Sequence, residues 1–352
     1  MRHVLAGLTA ISALLLSACG AGGGNPPVAA APVSKGGSPA GTVFPAHYTI
    51  TDLGVNALPA AVNASGSVAG TVNNRAFLYS SGFTIVFGTV NGASDSSATD
   101  LNDSGIAVGT SGADGAAFKP DGTVVDLGTP ANNVYAFDLS INNTNQIVGL
   151  TGLGGVAGCG GSVTSFSLTG PPSNIGGTAL SAKINNSGTI AAALYDQTGL
   201  ACEGTADPVL IPGFTGLTVP PAFTMNSQAG AIVTDINDGG MVTGWSPTTS
   251  NTIGSFVLQT GTSGTAILPT AAQQQLEALG INNQGWIVGT FEVPARAFAY
   301  VNGQVIDLNS LLPAGCGPWT LTSAVDINAA GDIVGVGTFG GKTHGFLLTP
   351  LP

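Results

Sequence analysis

The stretch INNQGWIVG, residues 281–289, decides the fold because six other stretches of the chain repeat its pattern. Each copy begins with an aliphatic residue and an Asn, and places Gly, or a close substitute, three and seven positions after that Asn. Gly and Asn favour turns, whereas the aliphatic residues between the glycines favour strands, so each copy is predicted to form a tight β-hairpin. The copies are VNASGSVAG (62–70), LNDSGIAVG (101–109), INNTNQIVG (141–149), INNSGTIAA (184–192), INDGGMVTG (236–244), INNQGWIVG (281–289) and INAAGDIVG (327–335).

Two departures from the pattern indicate what each glycine position requires. Asn145 replaces the first Gly, and Asn is the other residue that tolerates a left-handed backbone, so this position is predicted to have a positive φ. Ala192 replaces the second Gly, and Ala does not relieve such a requirement, so this position is predicted to need a small residue beside another backbone or ring. The Asn that opens each turn is expected to bond to the backbone two residues later, as in an Asx turn. These asparagines are Asn63, Asn102, Asn142, Asn185, Asn237, Asn282 and Asn328.

Two further strands follow each hairpin. The first is an apolar segment with Phe, such as AFAY (297–300) or GFLL (345–348), which the fourth copy replaces with PVLI (208–211). The second is a segment such as DLG (126–128) or DLN (307–309), which follows a turn. Each copy is therefore predicted to be a four-stranded β-meander.

The two ends of the repeat region favour a closed ring. The last copy stops at HGFLLTPLP (344–352) without a fourth strand, whereas YTITDLG (48–54) is an unmatched fourth strand before the first copy. If these two segments pair, residues 48–352 form an all-β, seven-bladed β-propeller of four-stranded blades, closed by the N-terminal strand joining the last blade. A linear solenoid would need polar capping repeats, and none is visible; a solenoid and a sandwich are the remaining alternatives.

The recurring I-N-x-x-G-x-I-V-G, A-F and D-L-G elements resemble the HAF family of bacterial extracellular repeat proteins. The resemblance covers roughly residues 48–352, and LNSLLPAGCGPWTLTSAVDINAAGDIVG (308–335) matches best, whereas the fourth copy departs most. The resemblance implies secretion and a β-repeat domain. It implies no established activity.

The N-terminus has the layout of a bacterial lipoprotein signal. Residues 1–18 combine a basic start with an apolar stretch that is too short to span a membrane as a helix, so they are predicted to be a signal peptide. LSAC (16–19) resembles a lipobox, which predicts that the lipid is attached to Cys19. Residues 19–47 are rich in Gly, Pro and Ala and are expected to form a flexible tether. The expected location is the outer membrane or cell surface, with a simple secretory signal and a secreted protein as the alternative.

The composition excludes several classes of protein. Only 25 of the 352 residues are charged, 18 of them acidic and 7 basic, and the formal net charge is −11. A coiled coil and a charged disordered tail need many more charged residues, and a nucleic-acid-binding protein needs cations that neutralise phosphates. We therefore expect no nucleic-acid partner.

The sequence gives little support for a catalytic or metal-binding role. The chain has three histidines, His3, His47 and His344, and lacks the motifs of zinc or Ser-His-Asp chemistry. DLNDSG (100–105) and DINDGG (235–240) match the start of a calcium loop, but no acidic residue stands at loop position 12, so turn chemistry is the better interpretation. We accordingly assign no catalytic, cofactor or metal residue. The remaining acidic candidates share one long loop and are expected to be solvated: Asp196, Glu203 and Asp207.

Two further sets of residues carry structural predictions. Cys159 and Cys202 occupy the same offset in adjacent copies, which predicts a disulfide between their loops, with free buried thiols as the alternative and Cys316 left over. Trp245, Trp286 and Trp319 come from three consecutive copies and could stack on a sugar, but packing in the core is the preferred interpretation.

Long loops that open on one face of the ring are the expected binding surface, because rigid scaffolds place function on loops. The resulting hypothesis is a monomeric, lipid-anchored, non-enzymatic scaffold that binds an envelope protein or a glycan. The alternative is a lyase or hydrolase that acts on polysaccharides through loop carboxylates on the same face. The loops concerned include residues 150–163, 193–207, 245–254 and 312–319.

Overall fold

The fold is an all-β propeller whose sheets are consecutive meanders. The computed structural model describes residues 43–130, 134–153, 160–195, 206–212, 217–218, 232–247, 253–259, 265–267 and 275–351. One short 3-10 helix, Leu308–Leu311, interrupts the strands. No helix within these ranges is long and apolar enough to cross a membrane.

Five of the six sheets have four antiparallel strands, as the repeats predict. Four of the five use strands from one stretch of chain. They are β2 (Ala57–Val62), β3 (Val68–Val72), β4 (Arg75–Ser80) and β5 (Phe83–Val86); β6 (Ser96–Leu101), β7 (Ala107–Ser111), β8 (Asp114–Phe118) and β9 (Val124–Gly128); β17 (Ile232–Ile236), β18 (Met241–Pro247), β19 (Ile253–Gln259) and β20 (Thr265–Ile267); and β21 (Leu276–Ile281), β22 (Ile287–Glu292), β23 (Ala295–Val301) and β24 (Gln304–Asp307).

The fifth four-stranded sheet closes the ring. It joins β1 (Tyr48–Val55) to β25 (Thr320–Ile327), β26 (Ile333–Phe339) and β27 (Lys342–Pro350), in the order β1-β27-β26-β25. Tyr48 pairs with Pro350 and Asp52 with Phe346. The prediction that the N-terminal strand joins the last blade is confirmed.

The third and fourth repeats form a single seven-stranded sheet. Its strands, in order, are β10 (Val134–Ile141), β11 (Ile147–Leu153), β12 (Gly161–Phe166), β13 (Ser173–Ile184), β14 (Thr189–Tyr195), β15 (Ala206–Pro212) and β16 (Leu217–Thr218). The 12-residue strand β13 pairs with β12 through its first part and with β14 through its second part. The described sheets thus number six, and the prediction of seven separate four-stranded blades is not confirmed.

Both glycine positions of the hairpin have the properties that Asn145 and Ala192 predict. The first position has a positive φ in every copy, from 63° at Asn145 to 89° at Gly331. At the second position, a Cβ on Gly335 would lie 2.7 Å from Cζ of Phe346 and would collide with the backbone of Ser323. Ala192 stands at this position in the fourth copy, where its partner across the sheet is Val209. In four of the other copies, the partner of the second Gly is a Phe.

The strands define two faces of the propeller. Each innermost strand ends at the repeated Asn, so the seven Asn turns lie at one end of the molecule, which we call the Asn face. The opposite end, where the innermost strands begin and the inter-sheet connections pass, is called the loop face. Apolar clusters fill the space between neighbouring sheets; one of them joins Ala69 and Leu78 of the first sheet to Phe118 of the second.

Candidate functional site at the central channel

The seven repeated asparagines form a closed ring around the central axis. Each Asn is almost fully buried and donates from Nδ2 to the backbone carbonyl of the next Asn, at 2.8–3.2 Å. The last member, Asn328, donates to the carbonyl of Asn63 at 2.8 Å, across 265 residues of sequence. The ring therefore has seven members and no gap.

The same side chains hold the turns together. In every copy Oδ1 accepts from the backbone N–H four residues later, and in four of the seven copies it also accepts from the N–H two residues later, as the Asx-turn prediction requires. Asn63 Oδ1 accepts from the backbone N–H of Ser65 at 3.1 Å and from that of Ser67 at 3.0 Å. Asn282 Oδ1 accepts in the same way from Gln284 and Trp286. Every Asn thus stabilises its own hairpin and the contact to the next one.

A second ring lies one step deeper in the channel, two residues before each Asn, and five of its seven members are polar. Every innermost strand shifts register at or just before this position, and such β-bulges re-aim side chains. The seven residues at this position are Ala61, Asp100, Ser140, Lys183, Asp235, Gly280 and Asp326.

The polar members of this second ring satisfy the backbone N–H groups that precede each Asn. Asp235, for example, accepts from Ile236 through Oδ1 at 2.7 Å and from Ile281 of the next repeat through Oδ2 at 2.8 Å. Ser140 accepts from Ile184 at 3.2 Å. Asp100 and Asp326 repeat the Asp235 arrangement, so three carboxylates and one hydroxyl account for all seven amides.

Burial and mutual repulsion set the protonation of these carboxylates. Burial raises the pKa of Asp235 to about 6 despite two backbone hydrogen bonds, and repulsion from Asp100 adds to the effect. Burial, together with repulsion from Asp235, also holds the pKa of Asp326 well above its ordinary value. Burial disfavours the charged form of Lys183, but the adjacent Asp138 carboxylate outweighs it and raises the pKa of Lys183. Lys183 therefore stays protonated.

The Asn-face end of the channel is a narrow polar opening of about 200 Å³. Its exposed rim contains Asp103, Asn143, Asn186, Asp238 and Asn283, which bond to one another and to the neighbouring backbone. Within the described ranges, no group of three or more His, Cys, Asp or Glu side chains is arranged to hold a metal ion. Asp100 and Asp235, which begin the two calcium-like segments, point into the channel and bond to the backbone there.

The loop-face end of the channel opens into a larger cavity of about 410 Å³. Its walls are mostly apolar and come from six of the repeats. An ion pair lies in it: Lys183 Nζ donates to Asp138 Oδ1 at 2.6 Å, with the two side chains 17% and 24% exposed. The lining residues are Pro59, Ala60, Asp138, Leu180, Ser181, Lys183, Ile232, Val233, Thr234, Leu279 and Val325.

Large apolar side chains are also exposed on the loop face itself. Leu58 and Tyr135 begin innermost strands and are 51% and 50% exposed. Val55 ends β1, and Val293 lies in the turn between β22 and β23, at 68% exposure. Apolar surface thus continues from the cavity onto the face, as is common at binding surfaces.

The sequence candidates fall mainly outside this channel. Trp286 is buried at the Asn-face end against Phe44, whereas Trp319 packs on Phe339 and His344 in the last sheet, so the tryptophans form no common platform. His344 Nδ1 lies 2.9 Å from Asp52 Oδ1, a contact that joins β27 to β1. His47 accepts from Leu351 through its backbone carbonyl.

Several candidates lie outside the described residues. These include Cys19, Cys159, Cys202, Asp196 and Glu203, together with the side chain of Asp207 and the central parts of the three loops within 150–163, 193–207 and 245–254. The predicted Cys159–Cys202 disulfide therefore stays a prediction. The described part of the chain contains no free thiol: Cys316, which the predicted pairing leaves over, is disulfide-bonded and packs against the core of the last sheet.

Sequence reasoning missed Lys183 and Asp138, and it treated Asp100 and Asp235 as turn residues. A signal for the second ring was present nonetheless. Asp stands two positions before the repeated Asn in three copies and Lys in a fourth, at a place where apolar strands offer no reason for charge. No pattern in the sequence indicated Asp138, because its side chain contacts Lys183 only through the packing of neighbouring innermost strands.

Comparison with solved structures supports the propeller fold. A catalytically inactive variant of virginiamycin B lyase from Staphylococcus aureus, solved with quinupristin, is 11% identical, with a TM-score of 0.56 over 86% of this chain and 99% of the lyase. A streptogramin B lyase is 11% identical, with a TM-score of 0.57 over 88% and 100%. YCF48 bound to D1 peptide is 9% identical, with a TM-score of 0.54 over 90% and 100%.

At these identities the likeness extends to the fold alone. No protein-family model matches the chain. No curated protein matches it either.

Proposed function

We propose that this protein is an exported lipoprotein, anchored through Cys19, whose seven-bladed propeller binds a ligand on the loop face without transforming it. The proposal includes a monomeric propeller and a tether over residues 19–47. The HAF resemblance and the lipobox-like LSAC support the export and the anchor. The cavity on the loop face supports the binding role.

One observation carries the non-enzymatic part of the proposal. The channel carboxylates Asp100, Asp235 and Asp326 each accept backbone N–H groups through both oxygens. A carboxylate that acts as acid, base or nucleophile needs an oxygen free to face the substrate. The geometry of these carboxylates suits ring closure better than catalysis.

The neighbouring structures are compatible with either role, since propellers serve both enzymes and binding proteins. YCF48 is described as bound to a peptide, which is the kind of role that we propose. The lyase is described as inactive when a histidine is replaced by alanine. Here, neither His47 nor His344 lines the channel cavities.

The alternative function is a polysaccharide lyase or hydrolase. Its support is that Asp100, Asp235 and Asp326 converge in one channel and that burial raises the pKa of two of them, as is usual for catalytic acids. On the loop face, Glu277 also has a raised pKa, from burial and from the neighbouring Glu292. These groups make the enzyme hypothesis testable.

A paired binding and turnover assay separates the two functions. The purified protein is screened for retention of glycans and envelope proteins, and every retained polysaccharide is then followed by mass spectrometry for chain cleavage. Binding without cleavage is the expected result. Cleavage that disappears in a folded Asp326→Asn or Glu277→Gln variant would establish the alternative.

The ring of seven asparagines supports seven blades, two of which share β13. Residues 161–165 of β12 pair with residues 173–179, and β14 pairs with residues 179–184, so β13 serves as the outer strand of one blade and the inner strand of the next. A crystal structure is expected to show seven radial blades. Six blades around the axis would contradict this part of the proposal.

The lipid anchor is tested by fractionation of cells. The parent protein is expected in the membrane fraction, released by detergent and not by salt, whereas a Cys19→Ala variant should leave that fraction. Membrane association that persists unchanged in Cys19→Ala would rule the anchor out. Light scattering on the detergent-free propeller, expected to be monomeric, tests the oligomeric state.

A further inference from the structure

We infer that the loop-face cavity selects a neutral, mostly apolar ligand that presents a carbonyl or similar acceptor to Lys183. The inference rests on the proposed function, because it takes this cavity as the binding site. It goes beyond that function by naming the chemical class of the ligand and the residue that orients it.

The cavity walls set the apolar character of the ligand. Leu180, Ile232, Leu279 and Val325 come from four successive repeats, and Pro59 completes the wall from the first repeat. Burying the apolar part of a ligand against such side chains is favourable by about 25 cal/mol per Å² of apolar surface. The volume of about 410 Å³ suits a small molecule or a few peptide residues.

Lys183 supplies a charged hydrogen-bond donor inside a mostly apolar site. An ammonium group has three N–H donors, and among the described residues Lys183 donates to one side chain, that of Asp138, at 2.6 Å. The other carboxylate oxygen of Asp138 accepts from the backbone N–H of Ala182 at 2.9 Å. Asp138 is thus engaged through both oxygens, while Lys183 retains donors for a ligand.

The charges around Lys183 select a neutral acceptor over an anion. Asp100 and Asp235 act on Lys183 in addition to Asp138, so one ammonium interacts with three carboxyl groups. A ligand carboxylate would add another negative charge to this cluster. A cationic ligand would have to approach Lys183 itself. A neutral carbonyl oxygen accepts a hydrogen bond from Lys183 and is repelled neither by the carboxylates nor by the ammonium.

The experiment uses three dipeptide probes with the same two side chains: the neutral N-acetyl-leucyl-leucine amide, its anionic free acid, and the cationic leucyl-leucine amide, which has a free amine in place of the acetyl group. Binding to the purified protein is measured by saturation-transfer NMR and by displacement of the neutral dye Nile red. The neutral probe is expected to bind at least fivefold more tightly than the other two. Leu279→Ser should weaken it several-fold, whereas Phe83→Ser, which removes an exposed Phe of the Asn face, should not.

Lys183→Met tests the orienting contact. It keeps the length of the side chain and removes the donors, so the neutral probe should lose affinity while Nile red, which depends on the apolar walls, should lose less. Circular dichroism checks that this variant is folded, and Lys183→Arg, which retains donors, should recover part of the probe binding.

The outcomes separate this inference from the function on which it rests. Tighter binding of the free acid, or equal effects of Leu279→Ser and Phe83→Ser, would overturn the ligand class and leave a binding role intact. Conversion of any probe into new products, seen by mass spectrometry, would instead overturn the non-enzymatic function.

Discussion

At the scale of single residues, the repeated Asn stabilises more than the turn that it opens. One side chain stabilises its own hairpin through Oδ1 and the next repeat through Nδ2. The exposed residue that follows it also contacts the neighbouring repeat, but in solvent, where hydrogen bonds contribute less. These adjacent positions therefore form a natural pair for mutagenesis.

Replacement of Asn282 by Ala should cost about 2–4 kcal/mol of unfolding free energy, because it leaves buried N–H groups and a carbonyl without partners. Asn282 donates to Asn328 and accepts from the amides of Gln284 and Trp286. The control is Asn283→Ala in the exposed rim, with an expected loss below about 1 kcal/mol. Urea unfolding measures both, and equal losses would contradict the role of the buried ring.

The second glycine position gives a steric prediction. Gly335→Ala should destabilise the protein by about 1–3 kcal/mol, since the new Cβ would lie 2.7 Å from the Phe346 ring and collide with the Ser323 backbone. Gly88→Ala is the control, because a Cβ added there would meet no atom within 4 Å. Thermal unfolding that is unchanged in Gly335→Ala would show that this position does not require Gly.

At the scale of elements, closure of the ring depends on one strand, β1, which pairs with β27. β1 comes from the start of the domain and completes a sheet whose other strands come from its end. It buries Tyr48 and Ile50 almost completely. Without it, β27 would become an unprotected edge strand, which is prone to pair with other chains.

Two truncations test the closing strand. A chain that begins at Val43 retains β1 and should unfold cooperatively as a monomer. A chain that begins at Asn56 should lose roughly 3–6 kcal/mol from the two buried side chains alone and should self-associate. Size-exclusion chromatography with thermal melts compares them, and identical behaviour would mean that β1 is dispensable for closure.

The predicted disulfide belongs to the same scale, because it would tie the loops of two adjacent repeats. Peptide mapping of the non-reduced protein distinguishes the predicted Cys159–Cys202 link from a link of either residue to Cys316, which is disulfide-bonded. A peptide that links Cys316 to either residue, or alkylation of both thiols, would refute the pairing.

At the scale of the whole molecule, closure of the ring concentrates charge that the sequence spreads over 227 residues, from Asp100 to Asp326. Asp235 faces Asp100, Asp326 and Lys183 in the channel. Its folded pKa of about 6 exceeds the ordinary value of 3.8, so the folded state binds the proton more tightly than the unfolded state. The contribution to stability is complete below about pH 4 and is lost as the pH rises through 6.

The pH prediction compares the parent protein with Asp235→Asn. The parent should lose on the order of 1–3 kcal/mol of unfolding free energy relative to the variant between pH 4 and pH 7.5. Asp95→Asn, at an exposed carboxylate, should follow the parent at every pH. Urea unfolding at several pH values measures the difference, and a constant gap between parent and Asp235→Asn would contradict burial of this charge.

The sequence by itself determined the local structure and the way the chain closes. Asn145 and Ala192 distinguished the two requirements on the glycine positions, and the unmatched strand at 48–54 predicted the pairing with β27. These features depend on backbone preferences and on counting along the chain, so they can be read without knowing which repeats touch.

Only the tertiary structure decided the site. The Asn ring, the amides that bond to Asp235 and the Lys183–Asp138 pair join neighbouring repeats. The links between repeats span from 39 to 265 positions of sequence. The merging of two repeats through β13 also depends on the angle between them. Contacts between repeats follow from the radius of the closed ring and from β-bulges, and neither is encoded in a single repeat. The chemistry of the channel therefore emerges only when all seven hairpins face one axis.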